Sequence, residues 1–401
     1  MDIPIQDPQQ QQPPAPPPLL DWMRQNLFRT WYDSLLTVVS AALVYLIVVG
    51  AVRWVFSVAD WTPITQNLTL YLVGQYPRPA LWRLGLAVAL LSLLLGLSWG
   101  RWSGVMRSLA LTLIGFYLFL GLLPGTSLAP SVRMFLTANA GVIPLTYLAA
   151  RRWPPATRYL VAGWVASGII SFFLLRGHDA IPNLERIEIN LWGGLIVTAI
   201  LAIGGILISF PFGILLALGR RSALPVVRAF STAFIELIRG VPLISILFLF
   251  SLIVPLFLPT NVRFDRMLRA LVGMIVFSAA YTAENVRGGL QAIPHGQYEA
   301  AYAIGLNNLQ TTLYIVLPQA LRKVIPAIVG QFISLSKDTT LAAGVAVLEI
   351  LSIGRSILQG NPEYIGRQAE VYVFIAAIFW IFSYSMSVSS RRIESMLGVG
   401  K

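Results

Sequence analysis

Tyr281 to Leu341 reads YTAENVRGGLQAIPHGQYEAAYAIGLNNLQTTLYIVLPQALRKVIPAIVGQFISLSKDTTL, with long apolar segments on both sides of it. Its middle is neither strongly apolar nor of low complexity. Pro294 suits a first helical turn, where its missing N–H wastes no hydrogen bond. Gly296-Gln297-Tyr298 lead into Glu299-Ala300-Ala301, and Gly305 supplies a helix stop. The spacing predicts a helix of roughly three turns, far below the ~20 residues needed to span a bilayer. Leu317-Pro318 then opens a second helix. A small helix is therefore held in a loop between two membrane segments. Ala300, Ala301 and Ala303 leave it little bulk, so another surface can approach closely. Glu299 lies near its start, where the helix dipole favours a carboxylate.

Composition sets the solvent. Of the 401 residues 56% are hydrophobic and 11% charged, where a soluble protein carries about 25% charged residues. This is the composition of a polytopic membrane protein, and the fold expected for it is all-α. The chain has no cysteine, which excludes a disulfide framework and a thiolate metal site. Its net charge of +12 is not a nucleic-acid signature, because the arginines are scattered in small groups between apolar runs. Positive loops on the cytoplasmic side explain them. The first 18 residues have no positive n-region and no apolar core, and do not read as a secretory signal peptide. Residues 3–18, IPIQDPQQQQPPAPPP, cannot build a core.

Three regions are expected: a disordered Gln/Pro-rich tail over 1–30, an N-terminal transmembrane extension over 31–180, and a core over 181–401. The polar stretch 176–190, with His178, Asp179, Glu185 and Glu188, marks the boundary. Apolar runs at 35–52, 84–99, 108–123, 134–150 and 159–175 precede it. Those at 191–219, from Phe234 through Pro242 to residue 258, 270–283, 324–336 and 371–390 follow it. This makes about ten crossings. The run at 134–150 is weakened by Asn139 and Pro144; were it not a crossing, parity would remove a second, and eight is the alternative. Residues 57–83 read as a loop, and 341–353, short and containing Glu349, as no crossing. With both termini cytoplasmic, the basic turns Arg151-Arg152, Arg220-Arg221 and Arg391-Arg392 all fall inside.

No GxxxxGK[ST] stretch is present to cradle ATP phosphates, and HExxH, GxSxG and clustered metal ligands are absent. His178 and His295 stand in unrelated loops. The chain is not read as an enzyme. Ionisable residues near apolar segments are costly and mark candidate pathways. Glu236 and Arg239, three apart on one helix face, can pair, and Glu284 and Arg287 repeat the spacing. Lys337-Asp338 ends a helix weakened by Pro326 and Gly330. Opposite charges or broken-helix termini are what a zwitterionic amino acid needs inside a membrane. The same residues can equally be interfacial ion pairs that hold helices in register.

The run Glu299-Ala300-Ala301, Gly305, Ile315, Leu317-Pro318 resembles the EAA loop of bacterial ABC-importer permeases. Ala283-Glu284, Arg287-Gly288-Gly289, Ala292-Ile293-Pro294, Gln297, Gln319-Ala320-Leu321-Arg322 and Lys337-Asp338-Thr339 narrow the likeness to polar amino-acid permeases. The length and N-terminal half resemble the permease subunits of general L-amino-acid transporters. The resemblance implies a type I importer core over about residues 188–395 in the bacterial inner (plasma) membrane. It implies that Glu299, Ala300, Ala301 and Gly305 dock on an ATP-binding subunit, and that Ile315, Leu317 and Pro318 set the angle of the returning helix. It further implies a second permease subunit, a related but distinct chain, a periplasmic substrate-binding protein and an L-amino acid substrate. No cofactor is expected on this chain, and ATP belongs to the partner ATPase. Membrane lipid is a partner; nucleic acid is not. Gly330 stands where the family pattern has Asn, and Asn285 where it has an aliphatic residue. The alternative in a different class is a secondary amino-acid transporter driven by an ion gradient, in which an EAA loop has no task.

Overall fold

The computed structural model of the protein describes residues 18–259 and 264–398. Most of the expected Gln/Pro-rich tail, residues 1–17, lies outside them. The rest of that segment is not all irregular, because α1 (Leu19–Asn26) is helical. Its apolar Leu19, Leu20, Trp22 and Met23 alternate at helical spacing with Asp21, Arg24 and Gln25. Among the described residues the regular structure is helical, apart from two isolated bridges, Gly74 with Trp192 and Gly194 with Glu349.

The chain forms two units, residues 1–60 and 61–401. The first holds α1 and α2 (Trp31–Arg53). Thr30 caps α2: its Oγ1 accepts from the Asp33 N–H at 3.2 Å and donates to the Asp33 carboxylate at 2.6 Å. No residue of α2 is buried, as befits an apolar helix whose solvent is lipid.

The second unit runs through α3 (Thr62–Thr65), α4 (Leu68–Val73), α5 (Leu81–Arg101), α6 (Ser103–Leu122), α7 (Pro130–Arg152) and α8 (Thr157–Arg176). It continues with α9 (Gly194–Arg220), α10 (Pro225–Arg239), α11 (Leu243–Phe248), α12 (Arg266–Gln291), α13 (His295–Ala303) and α14 (Asn308–Gln310). It closes with α15 (Leu317–Asp338), α16 (Ile350–Gly360) and α17 (Gln368–Leu397). Among the described residues nine helical stretches are long and apolar enough to cross a membrane. The pair Pro225–Arg239 and Leu243–Phe257, bent by 110°, makes ten if it is one crossing. Pro242, which has no N–H, stands at the break. The count agrees with about ten spans and not with eight. The doubtful run at 134–150 is a continuous 23-residue helix despite Pro144. Asn139, buried there, donates from Nδ2 to the Phe135 carbonyl at 2.9 Å, while its Oδ1 has no hydrogen-bond partner among the described residues.

Residues 57–83 correct the expectation of a loop. They contain α3 and α4, and Ile64, Leu68, Tyr71 and Val73 are buried there. Their apolar run is too short to cross, but it packs on Ile350, Ile353 and Val371 from the far end of the chain. The polar stretch after α8 is held by Arg83, which donates to the carbonyls of Glu185 and Asn183 at 2.8 and 3.2 Å.

Lipid gives helices no hydrophobic reason to associate, so close packing must hold them together. At the centre α9 lies along α12. A Cβ on Gly213 would come within 2.5 Å of the Thr282 side chain, and Ala279 and Ala283 are fully buried on the facing helix. Leu216, Ala217, Ile235, Val286, Leu290, Ile293, Val316 and Ala320 complete a cluster drawn from α9, α10, α12, α15 and the segments on either side of α13. The loop helix α13 joins it through Tyr298.

Candidate functional site

The expected loop helix is present as α13, His295–Ala303, with Pro294 as its N-cap rather than inside its first turn. Gly305 stops it. The Leu306 N–H reaches back to the Ala301 carbonyl at 3.1 Å and the Gly305 N–H to the Tyr302 carbonyl at 2.9 Å. This is the paired closure that needs a left-handed residue one step past the cap, and Gly305 has φ +84°.

One side of α13 is rooted and the other is free. Ala301 is buried, and Tyr298 packs with Ile293 and Val316. The Tyr298 hydroxyl accepts from Arg221 Nη1 at 3.1 Å, with the guanidinium 5.8 Å from the ring centroid. Gln319 Nε2 donates to Gln297 Oε1 at 2.9 Å, and Lys323 Nζ to the Ala292 carbonyl at 2.7 Å. Glu299, Ala300, Tyr302, Ala303 and Ile304 are exposed, Ile304 by 74%. Leu309 and Tyr314 extend this surface. An apolar face with small alanines and one carboxylate, in water and stopped by a defined turn, is suited to receive another protein.

The returning helix begins in a widened turn. Thr311–Val316 winds as a π-helix before Leu317–Pro318 opens α15. Pro318 has no N–H to offer the preceding turn. The Gln319 side chain instead donates to the Ile315 carbonyl at 2.9 Å. Leu317 joins the buried cluster, while Pro318 is exposed.

Above this loop the ends of α9, α10 and α12 meet in an ion cluster. Arg287 forks onto Glu284, with Nε to Oε2 at 2.9 Å. Arg220 and Arg239 approach the same carboxylate at 3.5 and 3.6 Å. Glu236 pairs with Arg220 at 2.9 Å. The expected pairing of Glu284 with Arg287 is present. The expected pairing of Glu236 with Arg239 is not: Arg239 turns to Glu284 and lies 5.6 Å from the Tyr281 ring centroid. Spacing on one helix permitted the local pair, but a three-helix junction offered each partner a better-enclosed one. Three guanidiniums thus converge on one carboxylate whose side chain is 22% exposed.

Lys337 and Asp338 do not join this cluster. Asn285, next to Glu284, donates to Gln331 Oε1 at 2.8 Å. Lys337-Asp338 lie six and seven residues further along α15, about 10 Å at the helical rise. Gln331 in turn donates to the Ser278 carbonyl at 2.8 Å, and Ser209 Oγ to Ser278 Oγ at 3.1 Å. The polar Asn285 is therefore matched by Gln331 across the α12–α15 contact. Arg220, Arg221, Tyr298 and Gln331 belong to the site by their contacts and not by any sequence signal for it. Arg220-Arg221 carried only the signal of a basic turn, and no sequence feature pairs Arg221 with a residue 77 positions away.

Residues 209–398 match the family described as binding-protein-dependent transport system inner membrane component. The chain is 36% identical over 397 residues to the inner membrane amino-acid ABC transporter permease protein YhdY of Escherichia coli (strain K12), covering 95% of this chain and 93% of that one. It is 34% identical over 435 residues to the glutamate/glutamine/aspartate/asparagine transport system permease protein BztC of Rhodobacter capsulatus, covering 96% of each. The probable glutamine ABC transporter permease protein GlnP of Bacillus subtilis matches 51% of this chain with 92% of its own, at 34% identity.

Proposed function

The chain belongs to the family of amino-acid ABC transporter permeases, and on that premise we propose that it is a membrane subunit of an ATP-driven importer for L-amino acids. It does so with partners. An ATP-binding subunit docks on α13, a second permease chain completes the pore, and a periplasmic binding protein delivers the substrate. ATP is bound and hydrolysed on the partner chain. The membrane is the bacterial inner membrane, with both termini on the side of α13. Family membership leaves the ion-gradient alternative without support.

The observation that carries this reading is the two-sidedness of α13. Its exposed face, Glu299, Ala300, Tyr302, Ala303 and Ile304, is free for the ATPase. Its rooted face reaches α9 through Arg221, α15 through Gln319 and the buried cluster through Ala301 and Tyr298. When the ATPase pair closes on ATP, force applied to α13 is passed to α9 and α15, which flank α12. The Arg220–Glu284–Arg239 junction at their ends is then opened or reclosed. Rigid helices rocking about such a junction give alternating access. An amino acid leaving at this end would meet the arginines with its carboxylate and Glu284 or Glu236 with its ammonium. Asp338 and Lys337 offer the same pair of charges farther along the path.

The test is purification of the tagged chain in mild detergent with identification of every co-purifying chain, followed by uptake in liposomes. An accompanying ATPase, and uptake that requires ATP and survives an uncoupler, are expected. A chain that purifies alone and transports without ATP would overturn the proposal.

A further inference from the structure

A second constellation lies apart from the loop. A cavity of about 590 Å³ is lined by Trp99, Gly104, Arg107, Leu111, Tyr147 and Arg392. These come from the end of α5, the start of α6, the end of α7 and the end of α17. With the bent α10–α11 pair taken as one crossing, alternation of the spans from α5 onward puts all four ends on the side that carries α13. The cavity therefore sits within one or two turns of the membrane–water boundary.

Its chemistry is one-sided. Arg107 and Arg392 face it, and Arg101, Arg151, Arg152 and Arg391 stand at the same helix ends. Among the described residues none of these six has an ion-paired carboxylate. Arg392 spends one N–H on the Gly104 carbonyl, at 2.9 Å. The carboxylate nearest in sequence, Glu394, accepts from Ser390 Oγ at 2.8 Å. Trp99 stacks on Tyr147 with centroids 4.3 Å apart, and Arg151 Nη1 donates to the Tyr147 hydroxyl at 3.3 Å. Leu111, one turn deeper, is 48% exposed and carries the wall into the apolar zone. Unpaired guanidiniums over stacked interfacial aromatics, with an apolar wall beneath, are complementary to a phosphate with acyl chains attached.

We propose that this cavity binds the headgroup of an anionic phospholipid, with the phosphate held by Arg107 and Arg392. The lipid bridges the N-terminal helices α5–α7 to α17. Direct contacts already join the two in the same place: Ser108 Oγ and Ser389 Oγ are 2.6 Å apart beside the Arg392–Gly104 bond, and the Met396 side chain lies against Gly104.

The full chain, purified with the subunits that accompany it, is exchanged into detergent containing phosphatidylglycerol, phosphatidylcholine or inorganic phosphate, and bound species are weighed by native mass spectrometry. One retained phosphatidylglycerol per chain is expected, with phosphatidylcholine washed out. Arg107→Gln and Arg392→Gln should each weaken retention about fivefold, the contribution of one arginine at an anionic surface. Arg107→Lys should keep the lipid. Arg107 has no partner among the described residues, so Arg107→Gln alone, with an unchanged melting profile in phosphatidylcholine, keeps the test valid should the Arg392 variant fold poorly. Equal retention of the zwitterionic lipid, retention unaffected by Arg107→Gln, or displacement of the lipid by inorganic phosphate would each overturn the proposal.

Discussion

Arg221 and Tyr298 join the loop helix to the membrane body: Nη1 donates to the phenol oxygen at 3.1 Å with the guanidinium near the ring face. The preceding residue, Arg220, enters the ion cluster with Glu236 and Glu284. One dipeptide thus touches both the loop helix α13 and the ion cluster at the ends of α9, α10 and α12. Arg221→Ala should leave the assembled transporter hydrolysing ATP while uptake per ATP falls severalfold, since an exposed cation–π contact of about 0.5–1 kcal/mol is lost without a core defect. Tyr298→Phe, which keeps the ring, should fall between the variant and the wild type. ATPase and uptake rates from the same liposomes decide it; a loss shared equally by both would point to simple instability instead.

Gly305 adopts φ +84° with no atom near a would-be Cβ. A side chain there meets strain rather than a clash, about 1 kcal/mol for a residue that tolerates left-handed backbone. Gly305→Asp also sets a negative charge against the negative end of α13. This variant should insert and fold but lose ATPase recruitment and uptake, while Gly305→Asn, similar in shape and uncharged, should be milder. Normal uptake by the Asp variant would remove α13 from the coupling role.

Glu284 is the anion that three arginines share. Glu284→Gln leaves them facing one another, and losing a hydrogen-bonded charge costs about 1.5–3 kcal/mol. A lower melting temperature of the purified complex is expected, partly restored by added salt, which screens the residual repulsion. Glu236→Gln, at a more exposed site, should cost less. Equal melting of the two variants would contradict the central place given to Glu284.

Asn285 and Gln331 are a matched pair across α12 and α15. Asn285→Leu strands Gln331 Oε1, and Gln331→Leu strands Asn285; both side chains are half-buried, so each change costs toward the lower end of the about 1–3 kcal/mol for an unsatisfied buried group. The double variant should recover part of that loss. Additive melting shifts in the double-mutant cycle would show that the two residues act separately.

Glu349 caps α16, accepting from the N–H groups of Leu351 and Ser352 at 2.8 and 2.7 Å. Burial pushes its carboxyl from the ordinary 4.5 up to about 7, against those hydrogen bonds and the pull of Arg355. The folded chain therefore holds a proton that the unfolded chain has released between these values. Its contribution to stability is full below about 4.5, is lost as pH rises to about 7, and is flat above. Glu349→Gln, which keeps an acceptor for the cap, should flatten the pH dependence of the melting temperature in that window. An unchanged slope would place the titration elsewhere.

What the chain alone determined is what depends on local order. Apolar run length and the scarcity of charge specify a helical membrane protein of about ten crossings, because lipid admits no unsatisfied backbone. Pro294, the Glu299-Ala300-Ala301 run and Gly305 specify the loop helix, because capping and stopping are acts of adjacent residues. Its kinship to amino-acid permeases was legible in the same motif. Tertiary structure decided the rest. It drew Glu236 to Arg220 and Arg239 to Glu284, against the pairing that helical spacing favoured. It folded residues 62–73, too short to cross, into the core through contacts with helices some 280 residues away. It answered Asn285 with Gln331, and brought Arg107 and Arg392 to one cavity. Each of these rests on an ionic, polar or packing contact whose partner is chosen by which helix ends meet, and that choice is made only when the helices pack.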